Sequence, residues 1–116
     1  MEIPSGGTPG PRLADEWAID NNVYGRLPDA PPPRELAEAF VAAGWSARAR
    51  SWTEYEVERE WVFLEFMAEP GEVLFAGVVD PARLDDLIAV FTGFGLRYSI
   101  ELYDADRETL IAERRG

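Results

Sequence analysis

The chain has 116 residues, with 22 acids against 11 bases, a net charge of -11, no histidine and no cysteine. That length makes one domain, with enough chain to bury a core unaided by disulfides or a structural metal. Charge of this sign disfavours nucleic acid and anionic membrane as partners and speeds encounter with a basic protein.

Every base is arginine, since the chain holds no lysine. The missing His, Cys and Lys remove Ser–His and Cys–His nucleophilic pairs, lysine Schiff bases, haem ligation and zinc sites of the usual N/S type. No GxGxxG, P-loop or HExxH motif occurs. The start, "MEIPSGG", lacks a basic segment followed by an apolar one, so no secretory signal is expected. The longest uncharged apolar stretch, "LIAVFTGFGL" from Leu87 to Leu96, is about half of a membrane span. The expected location is the cytoplasm.

Residues 1–12 are rich in Gly and Pro and read as a flexible tail. Residues 13–33 read as an arm and Pro-rich connection: Leu13, Trp17, Ile19, Val23 and Tyr24 are laid on the domain, and "DAPPP" forms a stiff link. The single α+β domain is expected to fill 34–116. Its first helix is "RELAEAFVAAG", where Leu36, Ala39, Phe40 and Ala43 make one stripe. Pro33 starts this helix and Gly44 stops it, with Trp45 placed to pack back on the last turn.

From Ser46 to Glu69 there is no Gly, Pro, Asn or Asp. One strand of that length is excluded, so a turn is hidden there. Ala47, Ala49, Ser51, Thr53, Tyr55 and Val57 share a face, and Arg59 would come next on it. A buried, unpaired arginine is costly. The break is therefore placed near 58–60, giving strands over 46–57 and 61–68. "WVFLEFMA" and "EVLFAGVV" (72–79) are apolar on both sides, the pattern of strands covered on both faces.

Asp80 and Pro81 open a second helix with a stripe of Leu84, Leu87, Ile88 and Phe91, and Gly93 and Gly95 end it. Strands follow at 96–103 and 108–113. The expected fold is a two-layer α+β sandwich in the order α-β-β-β-α-β-β. Two helices pack on a mixed or mostly antiparallel sheet of about five strands. The similar starts "PRELAEAF" and "PARLDDLI", each leading into a hairpin, also suggest a helix–hairpin repeat.

The chemistry left to the chain is that of carboxylates. Glu54, Glu56 and Glu58 recur at every second residue, about 6.6–6.8 Å apart along a strand. Neighbours at that distance repel by roughly 0.6 kcal/mol in water, a cost a wet strand face can carry without a functional reason. Alternation alone would place Arg48, Arg50, Trp52, Glu54, Glu56 and Glu58 on one outward face. A tryptophan there is either covered by the arm or held for a partner.

The leading expectation is a non-enzymatic acidic interaction domain for a basic protein partner. An inhibitor or immunity-type protein is an analogy of size and charge. Arg50, Trp52, Glu54, Glu56 and Glu58 would be its partner-binding residues. The alternative is a small-ligand module with Trp45, Tyr55, Trp61 and Tyr98 around an aromatic pocket. A carboxylate- or divalent-metal enzyme ranks last, with Asp85/Asp86 and the turn of Asp104, Asp106 and Glu108 as its remaining acids. No catalytic residue, metal ligand or cofactor is assigned.

Overall fold

The structure is a computed structural model and describes residues 2–17 and 19–116. Seven strands, β1 (Val23–Pro28), β2 (Ser46–Ala49), β3 (Glu54–Arg59), β4 (Val62–Glu69), β5 (Glu72–Val79), β6 (Ser99–Tyr103) and β7 (Leu110–Arg115), form one sheet in the order β2-β3-β4-β5-β1-β6-β7. Every neighbouring pair is antiparallel. Two helices, α1 (Pro33–Ala42) and α2 (Leu84–Gly93), lie on one face, so the fold is α+β in two layers.

Both helices stop as their glycines foretold. Gly44 and Gly95 have φ of 96° and 72°, a conformation that disfavours any side chain. After α1, Trp45 N–H bonds Phe40 C=O and Gly44 N–H bonds Val41 C=O, each at 3.0 Å. After α2, Leu96 N–H bonds Phe91 C=O and Gly95 N–H bonds Thr92 C=O. This pairing satisfies two otherwise orphaned carbonyls at each helix end. Trp45 does pack back: its ring meets Phe40 edge-on at 4.8 Å.

The core lies between sheet and helices. Val57, Val62, Leu64, Phe66, Val73, Phe75 and Ile100 point toward α1 and α2, whose Leu36, Phe40, Leu87 and Phe91 point back, all at most 2% exposed. Phe40 contacts Phe66 at 5.4 Å and Phe75 contacts Phe91 at 5.4 Å, so each helix is keyed to a central strand by one aromatic pair.

The expected arm over 13–33 is corrected in its second half. Val23–Pro28 is a strand inserted between β5 and β6, with Val23 and Leu27 fully buried. The intervening inward position is Gly25, where a Cβ would lie 2.4 Å from the Phe75 ring. The glycine hides the period-two pattern from the sequence, and the ring fills its place. With the expected 46–57 strand also divided into β2 and β3, the strand count rises from about five to seven. The expected strand–helix–strand step is present, but β5 and β6 are parallel with β1 between them.

The hidden turn in 46–69 is in fact two turns, and the reason is one of counting. Ala49 pairs with Tyr55 across five residues, an odd number that leaves the alternation unbroken. Arg59 pairs with Val62 across two residues, which flips it. Only the second turn disturbs the pattern. The first, at Arg50–Thr53, is closed by Arg50 N–H to Glu54 C=O at 2.9 Å and by Ser51 Oγ accepting from Thr53 N–H. Arg59 does sit on the helix side. It is half-buried at the sheet end, where it donates to Ala43 C=O at 3.0 Å and lies over the Trp45 ring at 5.6 Å.

The helix–hairpin repeat is not carried by the topology. After α1 the next strand, β2, takes the sheet edge, whereas after α2 the next strand, β6, takes the inner place. Nor are β4 and β5 covered on both faces by secondary structure, since both helices occupy one side.

Residues 2–17 run along the outer edge of β2. Ala47 exchanges bonds with Thr8 through its C=O (2.8 Å) and N–H (2.9 Å), and Ala49 N–H bonds Pro4 C=O at 3.2 Å. The segment closes an edge that would otherwise offer free backbone groups. It then crosses to the β3–β4 turn, where Ala14 N–H meets Glu60 C=O. Asn22 completes the crossing, its side chain holding both the C=O and the N–H of Val79 at 2.9 Å.

Phe91 is fully buried, so Phe91→Ala should cost about 3–5 kcal/mol in urea unfolding. A loss below about 1 kcal/mol would mean that α2 is not keyed to β5 through this ring.

Candidate functional site

The glutamate row begins at the β2–β3 hairpin. Glu56 is 6% exposed, far too buried for a wet face. Burying a carboxylate requires partners, and the cross-strand neighbour Arg48 supplies two hydrogen bonds to Glu56 Oε1, at 3.0 and 2.7 Å. Arg50 lies 3.5 Å from Glu56 and 2.8 Å from Glu65, bridging two acids that stand opposite each other on β3 and β4. Glu58 accepts Leu13 N–H at 2.8 Å and stands 3.7 Å from Arg12.

This corrects the expected partner-binding set. Glu56 and Glu58 are spent inside the chain, Glu56 on strand pairing and Glu58 on tying down residues 12–14. Arg50 is likewise engaged with Glu56 and Glu65. Glu54 is half-buried, with Ser51 Oγ at 3.4 Å.

Trp52 is different. It is 97% exposed, so the N-terminal segment does not cover it. It lies in the four-residue turn and not on the strand face of the glutamates. Beneath it is a cleft of about 350 Å³ whose walls include Ile3, Arg34, Ala49, Arg50 and Tyr55. Ala49 and Tyr55 belong to the helix side of the sheet, and Arg34 to α1. Arg50, also in the cleft wall, pairs with Glu56 and Glu65 of the other face, so the cleft lies at the hairpin end, where the two faces meet.

The four aromatics of the ligand-pocket alternative do not converge on one cavity. Trp45 and Trp61 are 3% and 7% exposed, with rings 5.9 Å apart inside the core. Arg83 lies over the outer side of Trp61 at 4.3 Å. Tyr55 is buried at the edge of the Trp52 cleft. Tyr98 leans on Phe91 at 6.2 Å and borders a separate cleft with Arg26, Arg97 and Arg115. Buried aromatic area is what a core of this size uses, and periodicity cannot distinguish it from a pocket wall.

The remaining acids are structural where the geometry is explicit. Asp86 is paired with Arg83 at 2.8 Å. Asp106 accepts both Glu108 N–H and Thr109 N–H at 2.9 Å, and the Thr109 hydroxyl at 2.6 Å. The Thr109 hydroxyl and these amides pull its pKa down to about 2. Among the described residues no group of three Asp or Glu side chains is placed to hold a metal ion, and no helix is long and apolar enough to cross a membrane. Comparisons with protein-family models, curated proteins and solved structures returned no match to this chain.

Because Asp106 titrates lower in the folded chain than its ordinary 3.8, its contribution to the turn is complete above about pH 4. That contribution is lost as pH falls through about 2. An NMR titration of its carboxyl carbon should show a midpoint near 2, and one near 3.8 would mean that the turn is open. Arg48→Ala removes both hydrogen bonds to the buried Glu56, so urea unfolding should show a loss of about 1–3 kcal/mol. Arg114→Ala, which loses a surface bond to the neighbouring Glu113 carbonyl, should change stability by less than about 0.5 kcal/mol.

Proposed function

We propose that this chain is a non-enzymatic interaction domain that binds a basic protein partner in the cytoplasm, as an inhibitor or immunity-type protein would. The observation that carries the reading is Trp52, 97% exposed at the tip of a turn. Folding gains nothing from a tryptophan in that position, whereas an interface gains a large rigid anchor. The charge of -11 argues for a cationic partner, since long-range attraction raises the association rate and disfavours acidic competitors.

Arg48, Arg50, Glu56 and Glu58 hold the hairpin that presents the ring, and Glu54 sits at its base. A small-ligand reading is supported by the cleft beneath Trp52, whose size is near the lower end for ligand pockets. Its mixed walls and open shape suit a side chain of the partner better than a sequestered molecule.

The chain, immobilised and exposed to lysate of its source cells, should retain a basic protein that a salt step releases. Trp52→Ala should reduce that retention by about tenfold or more, with stability unchanged to within about 0.5 kcal/mol. Equal retention by both forms, or no salt-released protein at all, would overturn the reading.

A further inference from the structure

The sheet face opposite the helices is more apolar than a solvated antiparallel face needs to be. Phe63 and Met67 on β4 and Leu74 and Ala76 on β5 are all half-buried, and Tyr24 on β1 is 42% exposed. The register places Met67 beside Leu74 and Ala76 beside Tyr24, and the Tyr24 ring meets Tyr103 edge-on at 5.9 Å. These side chains form one band across β4, β5, β1 and β6. Val78, beside Phe63 on this face, is 3% exposed, so the Phe63 end of the band is covered. Tyr24 at the other end is 42% exposed, and residues 2–17 bond to the sheet along β2 and at the Glu58–Glu60 end.

Around the band stand glutamates in directly opposed pairs. Glu56 faces Glu65, Glu69 faces Glu72 and Glu101 faces Glu113 across neighbouring strands. Like charges directly opposite weaken a sheet. Arg48 and Arg50 compensate the first pair. In the other two, Arg26 lies 3.6 Å from Glu72 and Arg115 lies 3.3 Å from Glu113. Glu69 and Glu101 have no ion pair among the described residues, and Glu101 only accepts the Tyr103 hydroxyl at 2.5 Å.

We infer that this open face seats a basic amphipathic helix belonging to the partner, an inference that rests on the basic-partner reading above. Apolar residues of that helix would lie on Met67, Leu74, Ala76 and Tyr24, and its arginines or lysines would reach Glu69 and Glu101. The chain already packs helices on the other face of the same strands, so the spacing suits a helix. A second copy is a poor occupant, because each would bring a charge of -11 to the contact. An anionic lipid surface is disfavoured for the same reason.

The test titrates the isotope-labelled full chain with a synthetic Leu/Arg peptide of about 18 residues, patterned as an amphipathic helix about 27 Å long. A scrambled peptide of the same composition and a Leu/Glu counterpart serve as controls. Amide and methyl shifts should centre on Met67, Leu74, Ala76, Tyr24 and Tyr103, with the scrambled peptide at least about tenfold weaker. Leu74→Arg should weaken binding by a similar factor, and Tyr24→Ala, at an exposed position, guards against a folding defect in that variant. Shifts centred on Trp52 would overturn the assignment to this face while leaving the basic-partner reading intact. Equal binding of all three peptides, or none, would overturn the inference, and the lysate experiment judges the partner reading separately.

Discussion

The ring of Phe75 lying across Gly25 is the contact on which the rest of the sheet depends. It seats β1 beside β5, and β1 alone joins the β6–β7 hairpin to the other strands. The same ring meets Phe91, so one side chain joins a sheet neighbour and a helix. Any side chain at Gly25 would displace the ring or part the strands, since its Cβ would also lie 2.2 Å from Ser99 C=O. Three distant parts of the chain, around residues 25, 75 and 91, therefore share one packing solution.

Electrostatics is the second organising force, and it runs against composition. An acidic chain that crowds carboxylates onto one sheet face has to place its few arginines with care. Arg48 and Arg50 are committed to the Glu56–Glu65 pair, Arg59 to the end of α1, and Arg83 to the Trp61 ring and Asp86. These contacts leave the other carboxylates to set a strongly negative field. The Glu56–Glu65 pair is neutralised from both sides, whereas Glu69 and Glu101 keep their charge within the strand pairs they belong to. A guanidinium can bridge two carboxylates and still present a flat face to an aromatic ring, which suits a chain whose bases are all arginine.

Much of the fold was legible because it rests on local rules. The stripes of α1 and α2, the proline start of α1, the glycine stops and the double-sided apolar runs of β4 and β5 all follow from residues within a few positions of each other. Asp80 and Pro81, by contrast, open a short 3-10 turn, and α2 itself begins at Leu84. The elements missed were those whose signal was interrupted or cancelled. β1 lost its middle inward residue to glycine, and the Arg50–Thr53 turn kept the alternation in phase because an odd number of residues separates its closing pair. Of the candidate site, Trp52 stood out in advance as a tryptophan among charges, but whether the arm covers it was open until the fold left it 97% exposed. Glu56 and Glu58 looked like exposed charges because nothing in "EYEVER" says that Arg48 lies opposite one and residues 12 and 13 beside the other.

By itself the sequence determined the helices, their ends, two central strands, the lack of thiol, imidazole and amine chemistry, and the sign of the field. Those properties belong to composition or to short-range periodicity. Tertiary structure alone decided where β1 enters the sheet, which carboxylates are neutralised, that Trp52 stands clear of every cover, and that the apolar outer side of β4 and β5 lacks a helix layer. Each of these depends on residues brought together from distant parts of the chain, and a local pattern carries no record of what will lie across from it.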